Sequence, residues 1–596
     1  MRKTFMNVQQ KTPEKIGSVL IISAILIGLF VLWGVLSPGT LQSAADSGLG
    51  WMIENFGWFY MLSTAFFVLF VIAIALSPFG RMRLGKPDER PEYTWYSWIG
   101  MLFAAGIGVG FVFWGVAEPV LYYIDTPMGY TPETEQAAAA GLRYGVYHWA
   151  LHPWAIFSIV GLTLAYVQFR KDRPALISSA FYPLLGDRVN GWTGRSIDIL
   201  AVIATCTGVA TTFGLSALQI TGGLSYISAI PNNVWTQITI IAVVTVLFMI
   251  SAGKGVDKGI KKLSNINLAV AGLLLLFVII VGPTLFILEN FVTTLGGYIT
   301  NVASMSLTMT PFSESTWLGT NTIFFWAWHI AWAPFMGLFI ARISRGRTIR
   351  EFMAGVLLVP SLLAVLWFTT FGGTALNLEI SGQAPIADLV MSNVELALFA
   401  TLGELPLSMI TNILAVIVIL IFFITSADSA SYVLGAMTSH GSLNPKLSVK
   451  LLWGFLIAGT ASVLLISGGG GLDALQTASI IAALPFAVIM IIMIISVLVM
   501  LGRDFKLEGK KTRKKRVIQL KKEIREEFLD DVREEVYEEL RDEVKEEMIE
   551  EMKEEVKEEM IEEVKEEVYE EMKEDFYEEI KEDIYQELDI DKDKKK

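Results

Sequence analysis

A single cysteine, Cys206, in 596 residues leaves nothing for an intramolecular disulfide framework or a multi-cysteine metal site. Histidine is almost as scarce. Four in the whole chain give little material for a metalloenzyme. His148 and His152 are one helical turn apart, but no third ligand lies nearby, so the pair reads as packing. There is no nucleophile–base pair and no phosphate-binding loop. An enzyme is not expected, and neither is a cofactor or a nucleic-acid partner. The first apolar run has no small-residue cleavage site after it, so a removed signal peptide is not expected either.

The most informative absence is of positive charge. Segments 37–55, 119–141, 218–233, 290–317, 372–396 and 467–478 contain no Lys or Arg. The intervening loops hold Arg2/Lys3/Lys11/Lys15, Arg81/Arg83/Lys86/Arg90, Arg170/Lys171/Arg173/Arg188/Arg195, Lys254/Lys258/Lys261/Lys262, Arg342/Arg345/Arg347/Arg350 and Lys446/Lys450, with Arg143 alone outside this set among residues 1–502. Basic loops stay on the cytoplasmic side of a membrane. The alternation therefore predicts an even number of spans in the inner membrane, with both termini cytoplasmic.

What the chain has in abundance fits that reading: 53% hydrophobic residues, 16 Trp, 35 Phe and 17 Tyr. About 20 apolar residues cross a bilayer as a helix. Twelve runs qualify, near 16–36, 56–77, 95–117, 142–169, 197–217, 234–251, 266–289, 318–341, 352–371, 408–434, 450–466 and 479–501. The formal charge of −13 belongs to the end of the chain. Residues 1–502 carry a net +1, residues 503–525 a net +8 and residues 526–596 a net −22. The fold class is thus all-α integral membrane with a charged C-terminal extension.

Two spans contain helix breakers. The third reads AAGIGVGFVFWGVAEP, with Gly106, Gly108 and Gly110 in its middle. The eighth, FFWAWHIAWAPFMGLFIARI, carries Pro334 and Gly337. They lie five spans apart, as do the interrupted first helices of transporters built from inverted five-helix repeats, which bind substrate where the breaks meet. Close helix packing through small residues is the competing reading. The same regions are rich in tryptophan: Trp149 and Trp154 with Phe157 in span four, Trp328 and Trp332 in span eight. Converging indole faces make a cage for a quaternary ammonium, each contact worth about 0.5–2 kcal/mol. Core or lipid-facing tryptophan is the alternative.

The strings AAGIGVGFVFWGVAEP, HWALHPWAIF, WAPFMGLFIARISRGRTIREF and FFITSADSASYVLGAMTSHG strongly resemble the betaine/carnitine/choline transporter family. The resemblance covers nearly all of residues 10–502 and is greatest to its sodium-coupled glycine betaine members. It implies a LeuT-like core of two inverted five-helix repeats, residues 95–290 and 318–502. Peripheral spans (16–94) precede the core, a cytoplasmic segment (1–15) precedes them, and an extracellular amphipathic connection (291–317) joins the repeats. A homotrimer is also implied.

The resemblance further implies a trimethylammonium box from Trp149, Trp154, Phe157, Trp328, His329 and Trp332, with Gly106, Gly108 and Gly110 meeting the substrate from span three. Phe157 stands where the family often has Tyr, and His329 where it often has a second Trp. A neutral imidazole offers a hydrogen bond to a more polar solute, whereas a protonated one repels a cation. Choline-type, proton-coupled members tend to carry Asp where this chain has Gly110, so glycine betaine is favoured over choline. Carnitine, ectoine and proline remain alternatives, as do proton coupling and a solute channel or transceptor.

For the coupling ion, the resemblance implies a sodium site from the Ala104, Ile107 and Phe422 carbonyls with the Thr425 and Ser426 hydroxyls. These are hard oxygen ligands, released where a helix opens. A second site would involve Thr205 and Phe335. Back-bonding of the Thr425 and Ser426 hydroxyls within their own helix is the competing reading.

In the tail, apolar residues recur every fourth position from Ile524 to Leu588. Each step overshoots a helical turn by about 40°, so sixteen steps wind the row around the helix through about 640°, against a heptad coiled coil. The +8 segment (503–525) faces the inner membrane surface, where anionic lipid or the −22 tail (526–596) would attract it. Sensing of ionic strength and a dispensable solvated extension are both open readings.

Overall fold

The computed structural model describes residues 17–531 apart from 107, 255, 256, 314 and 443, and beyond 531 only scattered positions between 546 and 580. Among the described residues the sole β feature is one isolated bridge, Arg83 to Thr348. Two compact units are distinguished, Met1–Phe505 and Lys506–Lys596. The described residues of the second unit are helical, and the tail expectations beyond 531 fall largely outside the described residues.

The helices of the first unit follow the apolar runs. They begin with α1 (Ser18–Leu36) and α2 (Pro38–Leu76), the latter opened by a proline whose missing N–H is spare at a first turn. Next come α3 (Trp95–Gly106) and α4 (Val109–Ile124), then α5 (Glu135–Trp149) and α6 (Leu151–Ala165). The series continues with α7 (Trp192–Ile227), α8 (Val234–Lys254), α9 (Asp257–Val281) and α10 (Thr284–Leu307). It ends with α11 (Phe324–Ile343), α12 (Ile349–Ile380), α13 (Ser408–Thr438), α14 (Leu447–Ser467) and α15 (Asp473–Asp531).

Among the described residues, eleven helical stretches, α5–α6 taken together, are long and apolar enough to cross a membrane, while span three is divided into helices of 12 and 16 residues. Burial sorts them. The most apolar stretch of α5–α6 is 94% buried within the protein, against 22% for α1. The exposed side chains of α1, α8 and α9 include Leu29, Val243, Val246, Leu273 and Ile280. Such faces are costly in water and neutral in hydrocarbon. The buried helices α4–α7, α11 and α12 therefore form the centre.

The basic loop between α11 and α12 is folded, not loose. Gly346 takes φ +80°, Thr348 and Glu351 form a reciprocal capping box, and Arg347 lies over the Trp98 ring at 4.3 Å.

Candidate functional site

The break expected in span three is present. Helix α3 stops at Gly106, Gly108 is extended at φ −139° and ψ −174°, and α4 starts at Val109 with no side-chain cap. The first N–H groups of α4 have no partner in their own helix. Ile107 lies outside the described residues, and Ala104 is in the last turn of α3.

Span eight differs from expectation. α11 runs through Pro334 and Gly337 without interruption. Gly337 instead permits a close crossing, since a Cβ there would lie 2.5 Å from Cγ1 of Val160 and 3.0 Å from N of Gly161. The small-residue packing reading is the right one for Gly337. The second break falls in span four, at Ala150 (φ −92°, ψ −120°) between α5 and α6. Pro153 explains it: without an N–H it cannot bond the Trp149 carbonyl, and its ring collides with that turn. The string HWALHPW carried this signal, which the tally of breakers overlooked.

The break fixes Trp149 at the last turn of α5. Its Nε1 donates to Oε2 of Glu118 at 2.8 Å. The other carboxylate oxygen of Glu118 accepts the Tyr122 hydroxyl at 2.9 Å and lies 2.6 Å from Nδ1 of His148, whose Nε2 is 3.0 Å from Oγ1 of Thr322. Glu118 and His148 are fully buried. Sequence reasoning missed Glu118. An acidic residue inside an apolar run was the available signal, because intramembrane carboxylates are costly and therefore purposeful. His148 and His152 behave as packing residues: His148 stacks on Phe325, and His152 stacks on Trp326 with Nε2 2.9 Å from the Ser306 hydroxyl.

The aromatic residues converge. Trp149 meets Trp328 edge to face (5.8 Å, 85°) and His329 likewise (5.3 Å, 88°). Phe157 contacts His329 at 5.8 Å and Trp154 at 5.6 Å. Trp328 and Trp332, one turn apart, both donate Nε1 to the Gly208 carbonyl of α7, at 3.2 and 3.0 Å. Gly110 supplies the floor. A Cβ on it would stand 2.4 Å from Cη2 of Trp149 and 3.0 Å from Cη2 of Trp328.

All these side chains border one cavity of about 440 Å³. Gly108 and Gly110 line it from α4; Trp149, Trp154 and Phe157 from α5 and α6; Trp328, His329, Trp332 and Phe335 from α11. Phe422, Thr425 and Ser426 line it from α13. Further along, Gln168, Arg342, Asp428 and Lys450 continue the lining toward the end that carries the basic loops. The volume suits a small organic solute.

Two expected ion ligands are differently placed. Phe422–Ser426 sits in the middle of α13, which continues to Thr438, so the Phe422 carbonyl is not at a helix end; it accepts the Thr425 hydroxyl at 3.1 Å. Thr205 donates its hydroxyl to the Ala201 carbonyl at 2.7 Å and does not border the cavity, whereas Thr212 of the same helix does.

A family model described as the betaine/carnitine/choline family transporter matches residues 18–506. The chain belongs to this family. Among relatives of the betaine/carnitine/choline family, the glycine betaine transporter OpuD of Bacillus subtilis is 50% identical over 494 residues, 82% of this chain and 95% of that protein. An ectoine/hydroxyectoine transporter of Virgibacillus pantothenticus is 45% identical, covering 82% of this chain and 97% of its own length. Glycine betaine transporter 1 of Vibrio parahaemolyticus is 41% identical over 83% of this chain and 95% of its own. The chain is therefore a multi-pass membrane transporter and not an enzyme, and the aromatic cavity is its candidate substrate site.

Proposed function

We propose that the protein imports glycine betaine, or a zwitterion close to it, by sodium symport with alternating access. The observation that carries this is the composition of the cavity wall. Indole faces from α5 and α11 offer cation–π attraction to a quaternary ammonium. The uncapped N-terminus of α4, next to Gly108 and Gly110, offers N–H groups and a favourable dipole to a carboxylate. A zwitterion a few ångströms long satisfies both at once. A neutral Gly110 leaves the anionic pole to the substrate itself.

Sodium is the coupling ion in this reading. Thr425 and Ser426 of α13 line the same cavity as Gly108 at the span-three break, which supports an oxygen site shared with the Ala104 and Ile107 carbonyls that the resemblance implies. The Phe422 carbonyl would join them when α13 loosens locally, with Phe335 and Thr205 or Thr212 marking a second site. Rocking of two LeuT-like repeats in twelve spans around this point would alternate access. The cavity's continuation past Arg342 and Lys450 favours opening toward a cytoplasmic side defined by the basic loops. A homotrimer in a bacterial inner membrane with both termini inside completes the proposal. The 503–525 segment would bind anionic lipid, and the tail would tune activity to ionic strength.

The test is uptake of labelled glycine betaine into proteoliposomes with an inward sodium gradient, or with potassium in its place. Sodium-dependent accumulation is the expected result. Accumulation driven equally well by a proton gradient would replace the ion, and equilibration without accumulation would make the protein a channel. The relative named for ectoine supports a second substrate reading, which competition by unlabelled ectoine resolves. Truncation after Gly502 tests the tail: unchanged activation by osmolality would remove it from regulation.

A further inference from the structure

His329 is the one ring in the wall built by Trp149, Phe157 and Trp328 that is able to accept a hydrogen bond. Indole is a donor only, and phenyl is neither donor nor acceptor. Both indoles have already spent their N–H, Trp149 on Glu118 and Trp328 on the Gly208 carbonyl. The imidazole is 5% exposed and borders the cavity. Rings hold it on several sides: Trp328 and Phe325 nearly parallel (30° and 27°), Trp149 and Phe157 edge-on. It is therefore fixed in orientation.

Its Nδ1 is buried with no hydrogen-bond partner, and the Phe325 carbonyl one turn back is the backbone group beside the ring. With the proton on Nδ1, beside that carbonyl, Nε2 is the acceptor the ring offers to an occupant of the cavity. A trimethylammonium group has no N–H to give. A secondary or tertiary ammonium, or a cyclic amidinium, has one, and it would be charged and desolvated, the condition in which a hydrogen bond is strongest.

Resting on the reading that this cavity takes a zwitterion, we propose that His329 is a specificity-determining residue. It extends the substrate class to carboxylate zwitterions whose cationic pole carries an N–H, at the expense of part of the cation–π cage that a Trp would provide for a fully methylated one.

The experiment titrates the full-length protein in lipid nanodiscs with trimethylglycine, N,N-dimethylglycine and N-methylglycine, which share one carboxylate and differ in N–H count. Intrinsic tryptophan fluorescence reads the binding. The wild type is expected to bind dimethylglycine about as tightly as trimethylglycine, the N–H···Nε2 bond offsetting the lost methyl contact. His329→Phe keeps a flat ring and removes the acceptor; it should move the ratio about three- to tenfold toward trimethylglycine. His329→Gln, which restores an acceptor oxygen, should recover part of the preference.

A ratio within twofold of wild type in His329→Phe overturns the proposal. Should that variant not fold, the wild-type ratio decides: near parity upholds the role, and a more than tenfold preference for trimethylglycine overturns it. Folded wild type that binds none of the three overturns the zwitterion reading itself. That failure is distinct from binding without discrimination, which defeats His329 alone.

Discussion

The indole Nε1 of Trp149 lies 2.8 Å from Oε2 of Glu118, joining a wall of the cavity to a carboxylate that no solvent reaches. The same carboxylate holds Tyr122 and His148. Its replacement thus acts on the cavity through Trp149. Glu118→Gln keeps the volume but puts an amide N–H₂ where a carboxylate oxygen now holds either the donor-only Trp149 indole or the Tyr122 and His148 pair. A buried donor left without its acceptor costs about 1–3 kcal/mol. A loss of this size should weaken glycine betaine binding on the order of tenfold, with the fold retained. Titration by tryptophan fluorescence, with a thermal melt of the same sample, checks this. Unchanged affinity would show that Trp149 is held by packing alone.

Gly110 tests the floor of the cavity. The rigid ends of two indoles stand where a methyl group would go, 2.4 Å and 3.0 Å away. Gly110→Ala must displace one of them. Binding should fall at least tenfold while Gly108→Ala, whose Cβ would meet nothing within 4 Å, costs less. Affinities of the two variants, measured side by side, decide. Equal losses would put the effect in backbone freedom instead of indole displacement.

The apolar membrane-length helices and the aromatic residues that meet at the cavity were legible because each rests on a one-dimensional quantity: run length or residue type. The span-three break was legible as well, since three glycines in five residues state it locally. Span eight was misread because Pro334 and Gly337 are breakers in water-soluble intuition. In a crowded core, Gly337 serves the close approach of Val160 and Gly161, a fact held in tertiary contacts. The network of Glu118 was hidden for the same reason: its partners His148 and Trp149 lie in another helix, and His148 passes it on to Thr322, far away in the chain. The position of Thr205 off the cavity depends on the rotation of α7, which a helix hydrophobic on all sides does not declare.

The sodium reading makes a separable prediction. Ser426 borders the cavity, whereas the Thr425 hydroxyl is partly engaged with the Ile421 and Phe422 carbonyls. Ser426→Ala should raise the sodium concentration for half-maximal uptake several-fold and leave substrate affinity at saturating sodium nearly unchanged. Uptake against sodium, at fixed membrane potential, measures it. A rise in substrate KM with no change in the sodium curve would move Ser426 from ion to solute.

Asp504 of α15 gathers three donors. Its Oδ2 accepts the Tyr166 hydroxyl and the Arg170 Nε (3.0 Å), and its Oδ1 accepts Lys171 Nζ at 2.6 Å. The Asp504 and Arg170 side chains are 10% and 8% exposed, Lys171 33%. Removing the charge with Asp504→Asn leaves two cations beside each other, one of them buried, and weakens the tie between α15 and the π-helical end of α6. The cost should be about 2 kcal/mol, below that of a fully buried pair because Lys171 retains water. Lys171→Gln should cost much less, since Arg170 and Tyr166 still satisfy the carboxylate. Thermal unfolding of both variants in the same lipid gives the order. Added salt should narrow the gap only slightly, because the Arg170 half of the cluster is shielded from the screening ions. If Lys171→Gln proves as damaging as Asp504→Asn, the exposed ammonium and not the buried guanidinium holds the contact, and salt should then weaken it strongly.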